Sequence, residues 1–210
     1  KKRHNSLGKT EMWYVMQADK DARLIVGFKE KTNQEAYKKQ LDNKNLISLL
    51  NEVEVKAGDV FFLETGTIHA IGAGIVIAEI QQTSDVTYRV YDFDRVDANG
   101  NKRELHTEFA LDALNYNVTK AHVAYDSKIN TSNKVVDCDY FKTNIIPLKE
   151  VYHWRKTKEA FTVLMCTQGE FEVESNHTIS KYKMGDTVLF PAILDEVILK
   201  GNATLLEISI

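Results

Sequence analysis

The chain has 210 residues, with 27 basic and 30 acidic side chains and a net charge of −3 at neutral pH. This length suits one large domain or two small ones, and the charge gives no electrostatic footprint for nucleic acid. No apolar run is long enough to span a membrane, and no signal-peptide pattern opens the chain. Cys138 and Cys166 lack the spacing of paired metal ligands. They are typical of buried thiols in a reducing compartment, and we expect the cytoplasm.

Short segments rich in β-branched and aromatic residues dominate the first half and predict strands. They cover residues 12–16, 22–28, 53–64, 74–82 and 86–94. Strands at such short spacing are typical of a sandwich or a barrel.

Two stretches of the first half predict helices instead. The first begins at Thr32, where Glu35 three residues later suggests a capping box, and it breaks near residues 42–45. The second covers residues 107–116 and turns Phe109, Ala113 and Leu114 toward a core. We therefore expect a helical insertion over residues 33–51 that is able to close over a site.

The second half is almost purely β and resembles the first half. Both contain Lys-x-Gly-Asp followed by an apolar strand, at residues 56–59 and 183–186. Glu11 and Glu159 each precede an aromatic strand, and eleven residues after the shared glycine stand His69 and Glu196. The sequence thus predicts a duplicated cupin-like β-barrel, or jelly roll. Residues 1–125 form the metal-site copy with the helical insertion, and residues 126–210 form a copy without metal.

The segment "GDVFFLETGTIHAIGAG" places one histidine just after a strand and a small-residue turn. Gly-Asp, a strand, a turn and then His is the pattern of a cupin barrel, in which the imidazole points inward to a divalent metal. Glu11 at the head of "EMWYV" is the natural second ligand. An imidazole with a carboxylate suits zinc, manganese or iron.

Three strings, "GKTEMWYV", "GTIHAIG" and "EIQQTSDVTYRVYDFDR", resemble the type I mannose-6-phosphate isomerases, particularly their short bacterial form. The resemblance implies one zinc ion and the interconversion of mannose 6-phosphate and fructose 6-phosphate. It implies Glu11 and His69 as metal ligands, Arg89 as the catalytic arginine, and Lys9 and Glu79 as further residues of the substrate pocket.

The family also draws zinc ligands from a Gln-x-His element upstream of "KTEMW", which this sequence does not contain. His4 is not in that context, and the chain begins without Met. We therefore expect a fragment that lacks the N-terminal part of the family. Its other histidines, His106, His122, His153 and His177, lack partner spacing and are interpreted as structural or surface residues.

The expected partner is a small sugar phosphate, without nucleic acid or membrane, and the oligomeric state is left open with a monomer favoured. One alternative is a sugar-binding or regulatory cupin that does not turn its ligand over. Another is a metal dioxygenase, but such enzymes usually use a histidine-rich triad, which the sequence lacks. Arg89 within its polar string favours the isomerase.

Overall fold

In a computed structural model the chain is described at residues 5, 8–91, 95–157 and 159–210. Its contacts divide it into two compact units, Lys1–Ala121 and His122–Ile210. Most of the elements are strands, so the predicted mainly β class is confirmed. Within these described ranges no helix combines the length and the apolar character needed to cross a membrane.

The first unit contains two three-stranded antiparallel sheets. One has the order β4-β1-β6 and the other β3-β2-β5. Their bounds are β1 Glu11–Ala18, β2 Arg23–Phe28, β3 Leu50–Glu54, β4 Val60–Leu63, β5 His69–Ile71 and β6 Ile75–Gln81. Because side chains alternate across a strand, Trp13 and Val15 of β1 turn to the same buried core as Leu24 and Val26 of β2.

The helices of the first unit lie on the other face of β2. They are α1 (Gln34–Asp42), a short 3-10 helix (Leu46–Leu49) and α2 (Thr107–Ala113). Tyr37, Leu46 and Leu111 pack there with Ile25 and Phe28 of β2. The predicted insertion is therefore present and breaks where expected, but it covers the outer face of the β3-β2-β5 sheet, opposite the core that contains Trp13.

Two details of the predicted helices are wrong. The N-cap of α1 is Asn33, whose side chain accepts a hydrogen bond from the Ala36 amide, so the expected cap at Thr32 is one residue early. In α2 the buried residues are Ala110 and Leu111, while Phe109 is 46% exposed. The helix ends at Ala113, which is exposed, whereas Leu114 just after it packs against the core as predicted.

The strand predicted over residues 86–94 is also wrong where the structure describes it. Residues 82–91 carry no strand, and 92–94 lie outside the described residues. The sequence has the composition of a strand, but β6 ends at Gln81. Val90 and Tyr91 pack instead against the cluster under the helices, so apolar side chains that favour a strand are buried by a loop.

The second unit is a six-stranded antiparallel sheet in the order β10-β9-β12-β8-β7, with β11 paired to β9. Its bounds are β7 Asn133–Asp137, β8 Lys142–Arg155, β9 Thr162–Ser175, β10 Thr178–Lys183, β11 Thr187–Phe190 and β12 Glu196–Ser209. The curved sheet encloses a core that includes Trp154, Leu164 and Leu199. Cys166 belongs to this core, and neither it nor Cys138 forms a disulfide.

The Lys-x-Gly-Asp repeat forms the same turn in both units. The aspartate carboxylate accepts the amide of the lysine three residues earlier, at 2.9 Å for Asp59 and 2.8 Å for Asp186. Gly58 and Gly185 have φ angles of 92° and 91°, a region that favours glycine. The matched turns support the predicted duplication.

The turn also corrects the alignment of the first strands. Gly58 donates its amide to the Val15 carbonyl at 2.8 Å, and Gly185 donates to Cys166 at 2.9 Å. In the same register Glu11 pairs with Leu63, and Thr162 pairs with Phe190. Thr162, rather than Glu159, is therefore the structural equivalent of Glu11.

Candidate active site

The site of the first unit lies between its two sheets, at one end of the core. Glu11 begins β1 and His69 begins β5, so they enter this end from opposite sheets. In the strand register Glu79 faces Trp13 and His69 faces Val26. Since paired residues of neighbouring strands share a face, both side chains point between the sheets.

Four of the predicted site residues are in mutual contact. His69 Nε2 lies 2.9 Å from one carboxylate oxygen of Glu11. Lys9 Nζ lies 2.9 Å from the other oxygen and 2.6 Å from Oε1 of Glu79. The expectation that the ends of Glu11 and His69 lie close enough to share a cation is met by this geometry.

Glu11 is the buried centre of the cluster, with its side chain 0% exposed. Burial favours the neutral acid, but the imidazole of His69 and the ammonium of Lys9 outweigh it and hold the pKa of Glu11 below its usual value. A buried carboxylate kept charged in this way is a strong ligand for a cation.

Lys9 is about one quarter exposed and bridges the two carboxylates. Burial works against its charge, yet Glu79 and Glu11 together raise the pKa of Lys9 above its ordinary value. It therefore stays an ammonium at neutral pH. An ammonium has three donors, and the two carboxylates engage two of them, so one remains to bind a further anionic oxygen.

The ring of His69 is held in the tautomer that a metal ligand needs. Nδ1 lies 2.8 Å from the carbonyl oxygen of Thr67, which is an acceptor, so Nδ1 carries the proton. Nε2 is then the nitrogen that faces Glu11: without a cation it contacts the carboxylate as a donor, and a cation bound between the two groups would take its lone pair instead. A backbone carbonyl that orients the ring is a common partner of a metal-binding histidine.

The turn before His69 is fixed by the end of α2. Gly66 has a φ of 93°, and a Cβ atom there would lie 2.5 Å from the Ala113 carbonyl oxygen. The Gly66 carbonyl accepts the amide of Asn115 at 2.9 Å. This close approach requires glycine and sets the direction from which the chain enters β5.

Some positioning residues were not predicted from the sequence. The side chain of Gln82 accepts the Thr10 amide at 2.8 Å, and the Gln82 amide donates to the Thr10 carbonyl at 3.0 Å. Gln82 thus fixes the backbone of Thr10, and with it the positions of the neighbouring residues Lys9 and Glu11, whose side chains face the site. Trp13 packs beneath the site, with its ring edge-on to that of His69 at a centroid distance of 5.0 Å. The "QQ" pair of the polar string was the available signal for Gln82.

The donor set fits a divalent metal but is incomplete in the residues that the structure describes. Among the described residues both carboxylate oxygens of Glu11 are buried and have no partner beyond their ion-pair contacts with His69 and Lys9. Carboxylate oxygen and imidazole nitrogen are both zinc ligands. The described part of the chain contains no group of three or more His, Cys, Asp or Glu residues that could hold a metal ion. Glu11 and His69 together offer two donors of the kinds that zinc accepts.

The hydrogen bonds of Arg89 are with Glu104 and His106, outside the cluster of Lys9, Glu11, His69 and Glu79. Its Nη1 donates to the Glu104 carbonyl at 3.3 Å, and its amide donates to Nδ1 of His106 at 3.1 Å. Its carbonyl accepts the His106 amide at 2.8 Å. The half-buried Arg89 is therefore held by the segment that leads into α2.

Glu196 does not occupy the position in the second unit that the eleven-residue count implied. It pairs with Arg155, 3.2 Å away, and its side chain is 66% exposed. The equivalent of Glu11 is the neutral Thr162. Neither residue therefore provides the second unit with an inward carboxylate like that of Glu11.

The chain matches one family model and several proteins of similar sequence. Residues 131–210 match the family model of the mannose-6-phosphate isomerase cupin domain. Over 203 residues the chain is 34% identical to the mannose-6-phosphate isomerase ManA of Bacillus subtilis, and the match covers 95% of this chain and 64% of that protein. Over 108 residues it is 51% identical to the mannose-6-phosphate isomerase of Streptococcus mutans, covering 51% of this chain and 34% of that protein.

A solved structure extends the similarity to the fold. The crystal structure of the mannose 6-phosphate isomerase from Bacillus subtilis matches with a TM-score of 0.88 and 28% sequence identity, over 97% of this chain and 65% of that one. This chain spans 64% of the length of the Bacillus relative matched in sequence. The specific strings, the cupin-domain match over residues 131–210 and this fold agree, and together they indicate that the chain is similar to mannose-6-phosphate isomerases.

Proposed function

We propose that this chain carries the metal site and part of the substrate pocket of a zinc-dependent isomerase that interconverts mannose 6-phosphate and fructose 6-phosphate. The observation that carries the proposal is the contact of Glu11 with His69 beside the Lys9–Glu79 ion pair. A pair that can bind a cation next to a carboxylate that can accept a proton suits aldose–ketose isomerisation, which needs both charge stabilisation and proton transfer. The names of the relatives support the same reaction and substrate.

The reaction moves a proton between C1 and C2 of the sugar through an enediol, so negative charge develops on O1 and O2. Glu11 and His69 would hold the zinc ion, which supplies positive charge near those oxygens when bound. Arg89 keeps its charge at all relevant pH values and acts as an electrostatic clamp rather than as a base.

Glu79 is the candidate for the proton-transfer group of this chain. Its side chain is 31% exposed, whereas that of Glu11 is fully buried. It therefore reaches toward substrate, where a carboxylate is placed to accept a proton. The remaining donor of Lys9 binds an anionic oxygen of the sugar phosphate.

The second unit has no metal in this proposal. The position that matches Glu11 is Thr162, and Glu196 is paired at the surface. We place residues 126–210 as a supporting cupin domain, and we place the protein in the cytoplasm, where its two unpaired thiols remain reduced. The proposed partner is the sugar phosphate alone.

Loss of the metal tests the proposal most directly. In the full-length protein, His69→Ala should remove zinc and lower isomerisation by more than about 100-fold, because losing even an outer partner of a ligand costs about 10–100-fold. Zinc per chain is measured by elemental analysis, and fructose 6-phosphate formed from mannose 6-phosphate by a coupled assay.

His177→Ala is the matched control, because this histidine lies in the turn between β9 and β10 of the second unit. It should keep both zinc and activity. An active His69→Ala enzyme with normal zinc would refute the metal site. A wild-type protein that binds zinc and mannose 6-phosphate without turnover would instead establish the sugar-binding cupin.

A further inference from the structure

His106 forms hydrogen bonds with both backbone groups of Arg89, its amide and its carbonyl. His106 donates its amide to the Arg89 carbonyl at 2.8 Å, and its Nδ1 accepts the Arg89 amide at 3.1 Å. Residues on neighbouring strands exchange two hydrogen bonds in this way, but here an imidazole nitrogen replaces a carbonyl oxygen. Because residues 82–91 have no strand pairing, this exchange is a main restraint on the backbone at Arg89.

The surroundings of His106 extend the restraint to the side chain of Arg89. Two residues before it, the Glu104 carbonyl accepts a hydrogen bond from Nη1 of Arg89 at 3.3 Å. The ring of Tyr88 lies between those of His106 and Phe109, at centroid distances of 6.3 Å and 5.9 Å. His106 is also the N-cap residue of α2, whose Leu111 is buried in the core. The arginine is thereby tied to a packed helix.

We propose that His106 is a positioning residue of the isomerase, which fixes Arg89 through the unprotonated Nδ1 of its ring. The proposal rests on the catalytic role assigned to Arg89 under the proposed function. Electrostatic stabilisation depends on groups that are held in place before the reaction, and an arginine on an unpaired loop needs such a restraint. His106 itself touches neither metal nor substrate.

The chemistry of the contact defines two opposite substitutions. His106→Ala removes the acceptor but keeps the backbone amide that binds the Arg89 carbonyl. His106→Asn retains an acceptor, because its side-chain oxygen takes nearly the place of Nδ1, and asparagine is a favourable N-cap. His106→Leu fills comparable space without offering an acceptor, so it should behave like His106→Ala if the hydrogen bond rather than packing is what positions Arg89.

The test compares kcat, KM, zinc content and amide exchange in the full-length protein. His106→Ala should lower kcat by about tenfold with zinc content unchanged, while His106→Asn should stay within about twofold of wild type. Arg89→Ala should lower kcat by about 10²–10³-fold, and adding His106→Ala to it should cause no further loss, since the two substitutions remove one coupled function. His153→Ala, at an exposed position of β8, is the control for loss of an imidazole elsewhere.

Hydrogen exchange separates this proposal from the one on which it rests. The Arg89 amide should exchange faster in His106→Ala and remain protected in His106→Asn, whatever Arg89 does in catalysis. If Arg89→Ala retains normal turnover while this exchange pattern holds, the assigned role of Arg89 is wrong and the restraint stands. Equal losses in both His106 variants, additivity with Arg89→Ala, or unchanged exchange would overturn the proposal.

Discussion

The two units place a glutamate at the same position of the same fold and surround it differently. Glu79 of β6 faces Trp13, and Glu207 of β12 faces Leu164. Trp13 and Leu164 in turn pair with Phe61 and Val188, each two residues after the aspartate of the repeated turn. Glu79 and Glu207 are thus structural equivalents.

Their partners differ in charge and in freedom. Glu79 contacts Lys9, a charged side chain that is about one quarter exposed. Glu207 accepts hydrogen bonds from the buried Trp154 indole at 2.5 Å, from the Asn144 amide at 3.0 Å and from the Ser132 hydroxyl. Neutral donors engage both oxygens of Glu207 and hold the carboxylate in one orientation. The same position of the fold therefore carries a partly exposed carboxylate paired with a lysine in one unit and a carboxylate held by neutral donors in the other.

The comparison is tested most strongly by Glu79→Gln. This change keeps the shape of the side chain but removes the proton acceptor, and loss of general acid–base catalysis typically costs about 10²–10⁴-fold. We expect kcat to fall in that range while stability changes by less than about 1 kcal/mol, because the side chain is partly exposed and its ion pair with Lys9 is partly solvated. Steady-state kinetics and denaturant unfolding measure the two effects.

Near-normal turnover of Glu79→Gln would contradict the proposed catalytic role of Glu79. In that event the proton-transfer group would not be Glu79, and the difference between the two glutamates would be one of solvation alone. Zinc content should be measured in the same samples, because normal zinc with low turnover separates loss of the acceptor from loss of the metal.

The sequence predicted part of the site. Motif strings predicted that Glu11 and His69 lie close together and that Lys9 and Glu79 line the same pocket, and these four are in contact. The strings also predicted Arg89 there, but its contacts are with His106 and Glu104. The repeated turn was recognised from the motif Lys-x-Gly-Asp, because the aspartate accepts a backbone amide in it and the glycine adopts a positive φ. Local chemistry of this kind depends on a few adjacent residues.

The features that the sequence did not reveal depend on distant residues. The strand expected over 86–94 has suitable side chains, but its composition does not say whether a neighbouring strand is available for pairing. The register of Glu11 with Thr162 could not be counted from the sequence, since Glu159 matches it better in residue type. The Gln82 clamp on Thr10 joins residues 72 positions apart. Tertiary pairing decided each of these.

Removing the structural carboxylate should affect stability rather than chemistry. Glu207→Leu leaves the buried Trp154 indole without its acceptor and removes one of the two acceptors of the Asn144 amide, which keeps Ser132 Oγ. An unsatisfied buried donor costs about 1–3 kcal/mol. We expect the free energy of unfolding to fall by about 2–4 kcal/mol, with kcat of the folded protein within about twofold of wild type. Glu207→Gln keeps one acceptor oxygen and should lose less.

Denaturant unfolding monitored by tryptophan fluorescence measures the first effect, and kinetics at low temperature measures the second. The comparison fails if Glu207→Leu is as stable as wild type, or if it lowers kcat as strongly as Glu79→Gln. Either result would mean that the hydrogen bonds of Glu207 do not define its role.

The smallest effect is expected at Glu196, which the eleven-residue count aligned with His69. Its partner Arg155 is 79% exposed, and an exposed ion pair contributes less than about 1 kcal/mol because water screens both charges. Glu196→Ala should therefore change stability by less than that amount and leave zinc content and kcat at wild-type values. Arg155→Ala is the matched control, since it breaks the same pair from the other side. A loss of zinc or of turnover in Glu196→Ala, but not in Arg155→Ala, would show that sequence counting identified a ligand that the strand register does not.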